Sequence, residues 1–379
     1  MATTETSAWL NLRGLFYYAW CIVPLFWLAG AGGYLFSGIK LKTSSLRGVG
    51  TAFLAVGMFL ITLGYFQDLR GELGGYTIFF NLRFLLALGA PLAVYAYALT
   101  LRGFRKICTE YEGSLAVFFH GLGIFSIVIL MTTETSLWLD SHNMHYLLRC
   151  VLPLYWVAGV AAYLATGLKV RSAPLRGFGL FVLAVGAILA AFGYSIDISG
   201  NYLLYINGRF LAALAVVLMA FLHGFFVRYF HRVCPEKERE FAKTIYSMII
   251  AGLFVLLSRE TYLYFINTVA DPAKAKQAAQ AGLSVVWGVY AIGLLALGFW
   301  RNIRPYRLCA LALFGITALK LVIVDMARVK DVYRIISFMA LGLLMIGASY
   351  LYHRVEKRFF ATGPEDEKEE KETREQGIC

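Results

Sequence analysis

The chain predicts an all-α fold that crosses a membrane many times, and three observations carry that expectation. Apolar runs of about 20 residues recur between short charged turns, the length a helix needs to cross a hydrocarbon core of roughly 30 Å. Hydrophobic residues make up 59% of the 379 positions and charged ones 15%, more apolar surface than a soluble core could hide. The basic residues collect in alternate turns, the distribution that sets topology rather than one that grips nucleic acid.

Eleven spans follow in order: 15–37, 47–66, 79–101, 114–133, 147–168, 175–196, 205–229, 242–262, 282–300, 306–325 and 333–353. The first turn holds Lys40, Lys42 and Arg47, and the third Arg102, Arg105 and Lys106. Lys169, Arg171 and Arg176 mark the fifth, Arg228, Arg232, Lys237, Arg239 and Lys243 the seventh, and Arg301, Arg304 and Arg307 the ninth. All lie on one side, so that side is expected in the cytoplasm, with the N-terminus outside and the C-terminus inside. Much of the net charge of +12 therefore reads as topology. Met1 to Asn11 lacks a basic stretch and a cleavage site, so no removable signal peptide is expected and the first span is its own insertion signal.

An internal repeat organises the spans. Cys21–Asp68 aligned without a gap on Cys150–Asp197 gives about 22 identities in 48 positions, too many for coincidence. The match resumes at Asn81-Leu82-Arg83-Phe84 against Asn207-Gly208-Arg209-Phe210, and again at Glu134-Thr135 against Glu260-Thr261. A weaker third copy carries Trp287, Gly298, Pro305, Arg307, Asp325 and Arg334. Four-helix units in parallel orientation result, the last one incomplete. The expected organisation is a short outer N-terminal segment 1–14, units at 15–137 and 138–264, an outer connector helix 265–281, a three-span unit 282–354 and a charged tail 355–379. Asp271-Pro272 supplies a capping acid and an N1 proline for the connector helix. The tail alternates Glu with Lys and is expected to be a solvated, frayed or disordered cytoplasmic segment. Gly30 to Gly33, Gly50 and Gly57 are expected to let helices approach closely.

The last unit resembles a known family. Lys320 within an apolar helix, Asp325 at its outer end, Tyr333-Arg334-Ile335-Ile336-Ser337-Phe338, Leu341-Gly342 and the closing Tyr350-Leu351-Tyr352-His353-Arg354 are similar to the C-terminal repeat of a bacterial family of predicted membrane proteins, domain of unknown function 2339. The resemblance is strongest over 306–354. It implies a bacterial cytoplasmic membrane and no particular reaction.

The candidate site residues are charges that recur at the outer boundary. Asp68, Asp197 and Asp325 close the second helix of each unit, and Arg83, Arg209 and Arg334 open the third. Either each Asp clasps its own Arg, or the pairs line an outward cavity that binds an anionic head group or small substrate. Glu134 and Glu260 near the end of the fourth helix are candidate proton carriers, and Lys320 is the intramembrane outlier. The six cysteines have neither disulfide nor zinc spacing, and no P-loop, His-Glu-x-x-His, Gly-x-Ser-x-Gly or dinucleotide motif occurs. No metal, cofactor or nucleic acid is expected; the partner is the bilayer, with a lipid or small anionic substrate. Transport or lipid and polymer handling between units leads. A membrane-embedded enzyme on a lipid-linked envelope substrate, with Asp68, Asp197 and Glu134 as acid–base groups, and an envelope scaffold are the alternatives, and the balance is against catalysis.

Overall fold

The computed structural model describes residues 16–67, 77–194 and 203–321, with a few isolated positions between 339 and 349. Among them the chain is helical throughout, and no strand occurs. Ten helices follow in order: α1 Phe16–Lys40, α2 Ser44–Gln67, α3 Leu82–Gly103, α4 Glu110–Ser141, α5 His145–Val170, α6 Ala173–Gly193, α7 Gly208–Tyr229, α8 Glu236–Thr268, α9 Pro272–Trp300 and α10 Arg304–Lys320. Nine of them are long and apolar enough to cross a bilayer, so this is a multi-pass helical membrane protein. The described part of α10 is 17 residues. The first ten expected spans each coincide with one helix; the eleventh, at 333–353, lies outside the described residues apart from isolated positions.

One expectation gives way. The connector helix over 265–281 is not a separate element, because α9 runs unbroken from Pro272 to Trp300. Asp271 does cap it, accepting from the Ala273 and Lys274 amides, and Pro272 sits at its start. Beyond that cap the run of Ala, Lys and Gln favours helix and holds no breaker that would separate it from the span.

The described residues fall into two compact units, one ending at Glu260 and one beginning at Thr261. In the first, α1 with α2, α3 with α4, and α5 with α6 form tightly packed hairpins. Ala31, Leu35, Leu54, Val94, Tyr97, Ala98, Ala116 and Phe119 make a core among α1–α4. A second core joins α4–α8 through Val128, Trp156, Val160, Tyr163, Val182, Met219 and Ala242. Gly50 is where backbones meet: a Cβ there would lie 3.1 Å from the Ala31 carbonyl oxygen and 3.2 Å from the Leu35 nitrogen. Gly32 and Gly33, by contrast, face open space. In the second unit α9 packs on α10. The outward faces are apolar, with Phe36, Phe59, Leu85, Met248, Val285 and Val289 all more than half exposed, as lipid contact requires.

The first, fifth and ninth turns, three of the basic ones, share one construction. Lys42, Arg171 and Asn302 adopt left-handed backbone, and the next residue's amide bonds back to a glycine carbonyl: Thr43 to Gly38, Ser172 to Gly167 and Ile303 to Gly298. This is the Schellman ending, which satisfies the last carbonyls of a helix while reversing the chain. At the opposite end Phe79 and Tyr205 are also left-handed, each two residues before the Asn that caps the next helix.

Candidate functional site

The charged side chains buried in the first unit form two kinds of centre. At the basic end, Arg47 on α2 sends Nε to Glu112 Oε1 at 2.7 Å and Nη2 to Oε2 at 3.0 Å. Its Nη1 donates to the Gly38 carbonyl at 3.0 Å. Glu112 is held in place by a capping box with Thr109, so the fork meets a carboxylate fixed by the first turn of α4. Arg176 repeats the pattern: Nε and Nη2 reach Glu238 at 2.8 and 2.9 Å, and Nη1 reaches the Gly167 carbonyl at 3.0 Å. Glycine is needed at 38 and 167 because the arginine crosses over it; an added Cβ would sit 2.6 Å from the arginine Cγ in both places.

At the other end the hub is a carboxylate. Glu134 is fully buried and accepts from Tyr65 Oη at 2.8 Å, Asn81 Nδ2 at 2.5 Å and Arg83 Nη2 at 3.0 Å. Asn81 works twice, because its Oδ1 also caps α3 by accepting from the Phe84 amide at 2.8 Å. The Arg83 guanidinium lies over the Tyr65 ring at 5.1 Å. Around Glu260 the same residue types return. Asn207 caps α7 through the Phe210 amide and donates to Glu260; Arg209 Nη2 lies 4.0 Å from Glu260 and over the Tyr194 ring at 4.6 Å.

Arg83, Arg209, Glu134 and Glu260 are thus brought together in two pairs. Asp68, Asp197, Asp325 and Arg334 lie outside the described residues. Lys320, in the second unit, donates to the Gln280 carbonyl at 2.7 Å and to Ser284 Oγ at 2.6 Å. Sequence reading missed Asn81, Asn207, Tyr65, Tyr194 and the Arg47–Glu112 and Arg176–Glu238 pairs. The signals were present: an Asn two residues before each arginine, Gly-Tyr repeated at 64–65 and 193–194, and Gly followed by Arg nine residues on at 38/47, 167/176 and 298/307.

Glu112 and Glu134 on α4, like Glu238 and Glu260 on α8, are 22 positions apart, roughly 33 Å along a helix at 1.5 Å per residue. That matches the hydrocarbon thickness of roughly 30 Å, so each acid pairs near one rim of the bilayer, where the cost of a charge is smaller than at the centre. Two thiols sit beside the basic-end pairs in the turns before α4 and α8. Burial pushes both Cys108 and Cys234 above the ordinary thiol range; Glu112 adds to the rise at Cys108, and Arg176 opposes it at Cys234. Among the described residues no group of three or more His, Cys, Asp or Glu could hold a metal; His145 and Asp140 form only an exposed pair at 3.3 Å.

The family model described as predicted membrane protein, DUF2339, matches residues 7–355. The chain belongs to that family. No curated protein and no solved structure matched it.

Proposed function

We propose that this member of the DUF2339 family is a non-catalytic membrane scaffold, in which the arginine–glutamate pairs lock helices and bind no substrate. One observation carries the reading: Arg47, Arg83, Arg176 and Arg209 are all nearly inaccessible and each is turned toward a glutamate of its own unit. A guanidinium that serves a substrate must be reachable, whereas one that fixes helix register works best when sealed. The matched turns and matched pairs support reading the chain as four-helix repeats. On the same reading the basic turns face the cytoplasm of a bacterial inner membrane, with the N-terminus outside and the C-terminus inside.

Handling of a lipid, polymer or small anionic substrate is the second reading, and Lys320 favours it. Its ammonium meets a serine hydroxyl and a backbone carbonyl within apolar helices, at the end of α10 away from the basic turn. The test uses the full chain in sealed vesicles, following proton and anion flux with internal dyes, alongside purification in mild detergent from its own membrane. The scaffold reading expects flux no greater than empty vesicles and one stoichiometric protein companion that the charge-swapped Arg83→Glu/Glu134→Arg chain retains. Flux abolished by Lys320→Ala would overturn it and install the second reading.

A further inference from the structure

The third and seventh turns are also basic, but they are built differently from those in which a glycine seats an arginine. Residues 102–108 read Arg-Gly-Phe-Arg-Lys-Ile-Cys and residues 228–234 Arg-Tyr-Phe-His-Arg-Val-Cys, at the same offset that relates Arg83 to Arg209 and Glu134 to Glu260. Both close in one way, with the phenylalanine carbonyl accepting from two amides. Phe104 receives Ile107 at 2.9 Å and Cys108 at 3.3 Å, and Phe230 receives Val233 at 2.9 Å and Cys234 at 3.0 Å. This tight knuckle leaves Ile107 and Val233 half-buried and the phenylalanine with its next two neighbours outside. Phe104, Arg105, Lys106, Phe230, His231 and Arg232 are all exposed. The first knuckle is also held from within, because Arg47 Nη2 donates to the Ile107 carbonyl at 3.4 Å.

Depth and charge then say what meets these side chains. The helices that lead into the knuckles, α3 and α7, are both 22 residues long, roughly 33 Å at 1.5 Å per residue, about the thickness of the hydrocarbon layer. The knuckles therefore stand at head-group depth, where an aromatic ring meets the acyl boundary and a cation meets phosphates. Among the described residues Arg105, Lys106 and Arg232 form no ion pair, whereas Arg47 and Arg176 are committed to glutamates. The first knuckle borders an open cavity of about 610 Å³ lined by Gly103, Phe104, Arg105, Lys106 and Ile107, inside the span of roughly 300–1,000 Å³ usual for small-molecule sites. Two cations beside an exposed ring complement a phosphate diester joined to apolar chains.

We infer that the two knuckles are repeat-related binding sites for an anionic phospholipid. Arg105 and Lys106 at the first, and Arg232 at the second, take the phosphate diester, while Phe104 and Phe230 lie against the upper ends of the acyl chains. A zwitterionic lipid carries the same phosphate, but its own ammonium competes for it, so the anionic head group is preferred. The inference needs only that the basic end meets a lipid leaflet. It is independent of whether the buried pairs belong to a scaffold or to a protein that handles a substrate.

Thermal unfolding of the full chain in mild detergent, titrated with dioleoyl phosphatidylglycerol or dioleoyl phosphatidylcholine, tests the sites, because a ligand of the folded state raises the melting temperature at concentrations set by its dissociation constant. Phosphatidylglycerol should stabilise at the lower concentration. Arg105→Gln/Lys106→Gln/Arg232→Gln should raise the phosphatidylglycerol concentration needed for a given shift by about fivefold or more, since each cation at a lipid surface is worth roughly that factor. Lys40→Gln/Lys42→Gln/Lys169→Gln removes three exposed cations from other basic turns and should leave that concentration unchanged. A knuckle variant that shifts no more than this control overturns the sites, and so does a wild-type chain that responds equally to both lipids. Water-soluble glycerophosphoglycerol at the same concentrations should not stabilise. If it matches the lipid, the ligand is a free phosphodiester and the phospholipid assignment fails.

Discussion

The two ends of α4 each fix a glutamate to an arginine, yet they are built in opposite ways. At Glu112 the arginine is the hub: Arg47 spreads its donors over the carboxylate and the carbonyls of Gly38 and Ile107. At Glu134 the carboxylate is the hub, gathering an arginine, an asparagine and a tyrosine from two other helices. The first arrangement borrows a helix ending that the turn makes anyway. Both join three helices, but in the second every donor to the carboxylate is a side chain, so its loss removes the shared acceptor of three side chains at once. The carboxylate hub should therefore be the more fragile of the two.

The largest effect belongs to Glu134→Ala. It removes the acceptor shared by a buried guanidinium, an amide and a phenol, and breaking such a buried pair costs about 3–5 kcal/mol. Glu112→Ala should cost less, because Arg47 keeps two carbonyl acceptors and the loss of the capping box is worth about 1 kcal/mol. Thermal unfolding of the full chain in detergent orders the two. Equal losses, or a larger one at Glu112, would mean that the carboxylate hub is no more cooperative than the arginine one.

A smaller and sign-changing pair sharpens the account of the arginine hub. Gly167→Ala places a methyl against Arg176 Cγ and its backbone nitrogen, and the helix hairpin must open to admit it, at about 1–3 kcal/mol. Gly177→Ala, one residue after the same arginine, meets nothing within 4 Å and should stabilise by about 0.5–1 kcal/mol through helix propensity. The same unfolding measurement reads both. Destabilisation by both would point to a general intolerance of the hairpin instead of the seat.

These contrasts also show what the sequence could disclose. Spans were legible because bilayer thickness fixes their length, and the basic turns because topology is written in Lys and Arg. The Asp271-Pro272 start of α9 was legible because capping is local. The pairing of Arg83 with Glu134 was not. A short loop made Asp68 the natural expectation, and that residue lies outside the described ones, whereas Glu134, which does meet Arg83, lies 51 residues on. Which carboxylate meets which guanidinium depends on the rotation and depth of α4, and a helix apolar on nearly every face leaves both unspecified in its periodicity. Arg47 was read as a topological charge for the same reason: a basic residue in a turn looks alike whether it faces water or, at 2% exposure, a glutamate.

The smallest effect concerns the thiol beside the arginine hub. Cys108 is raised above the ordinary thiol range first by burial and then by the Glu112 charge, with Arg47 opposing. A raised value means less thiolate at neutral pH and slower alkylation. In a chain whose only cysteine is Cys108, the iodoacetamide rate should therefore climb with pH to a midpoint above that of a free thiol. Glu112→Gln removes a negative charge and should bring that midpoint down. The corresponding Glu238→Gln chain with Cys234 alone should move the same way but less, since the Arg176 charge outweighs Glu238 there. A midpoint at Cys108 that ignores Glu112→Gln would leave burial as the sole cause, and would place the carboxylate's field on Arg47 rather than on the turn.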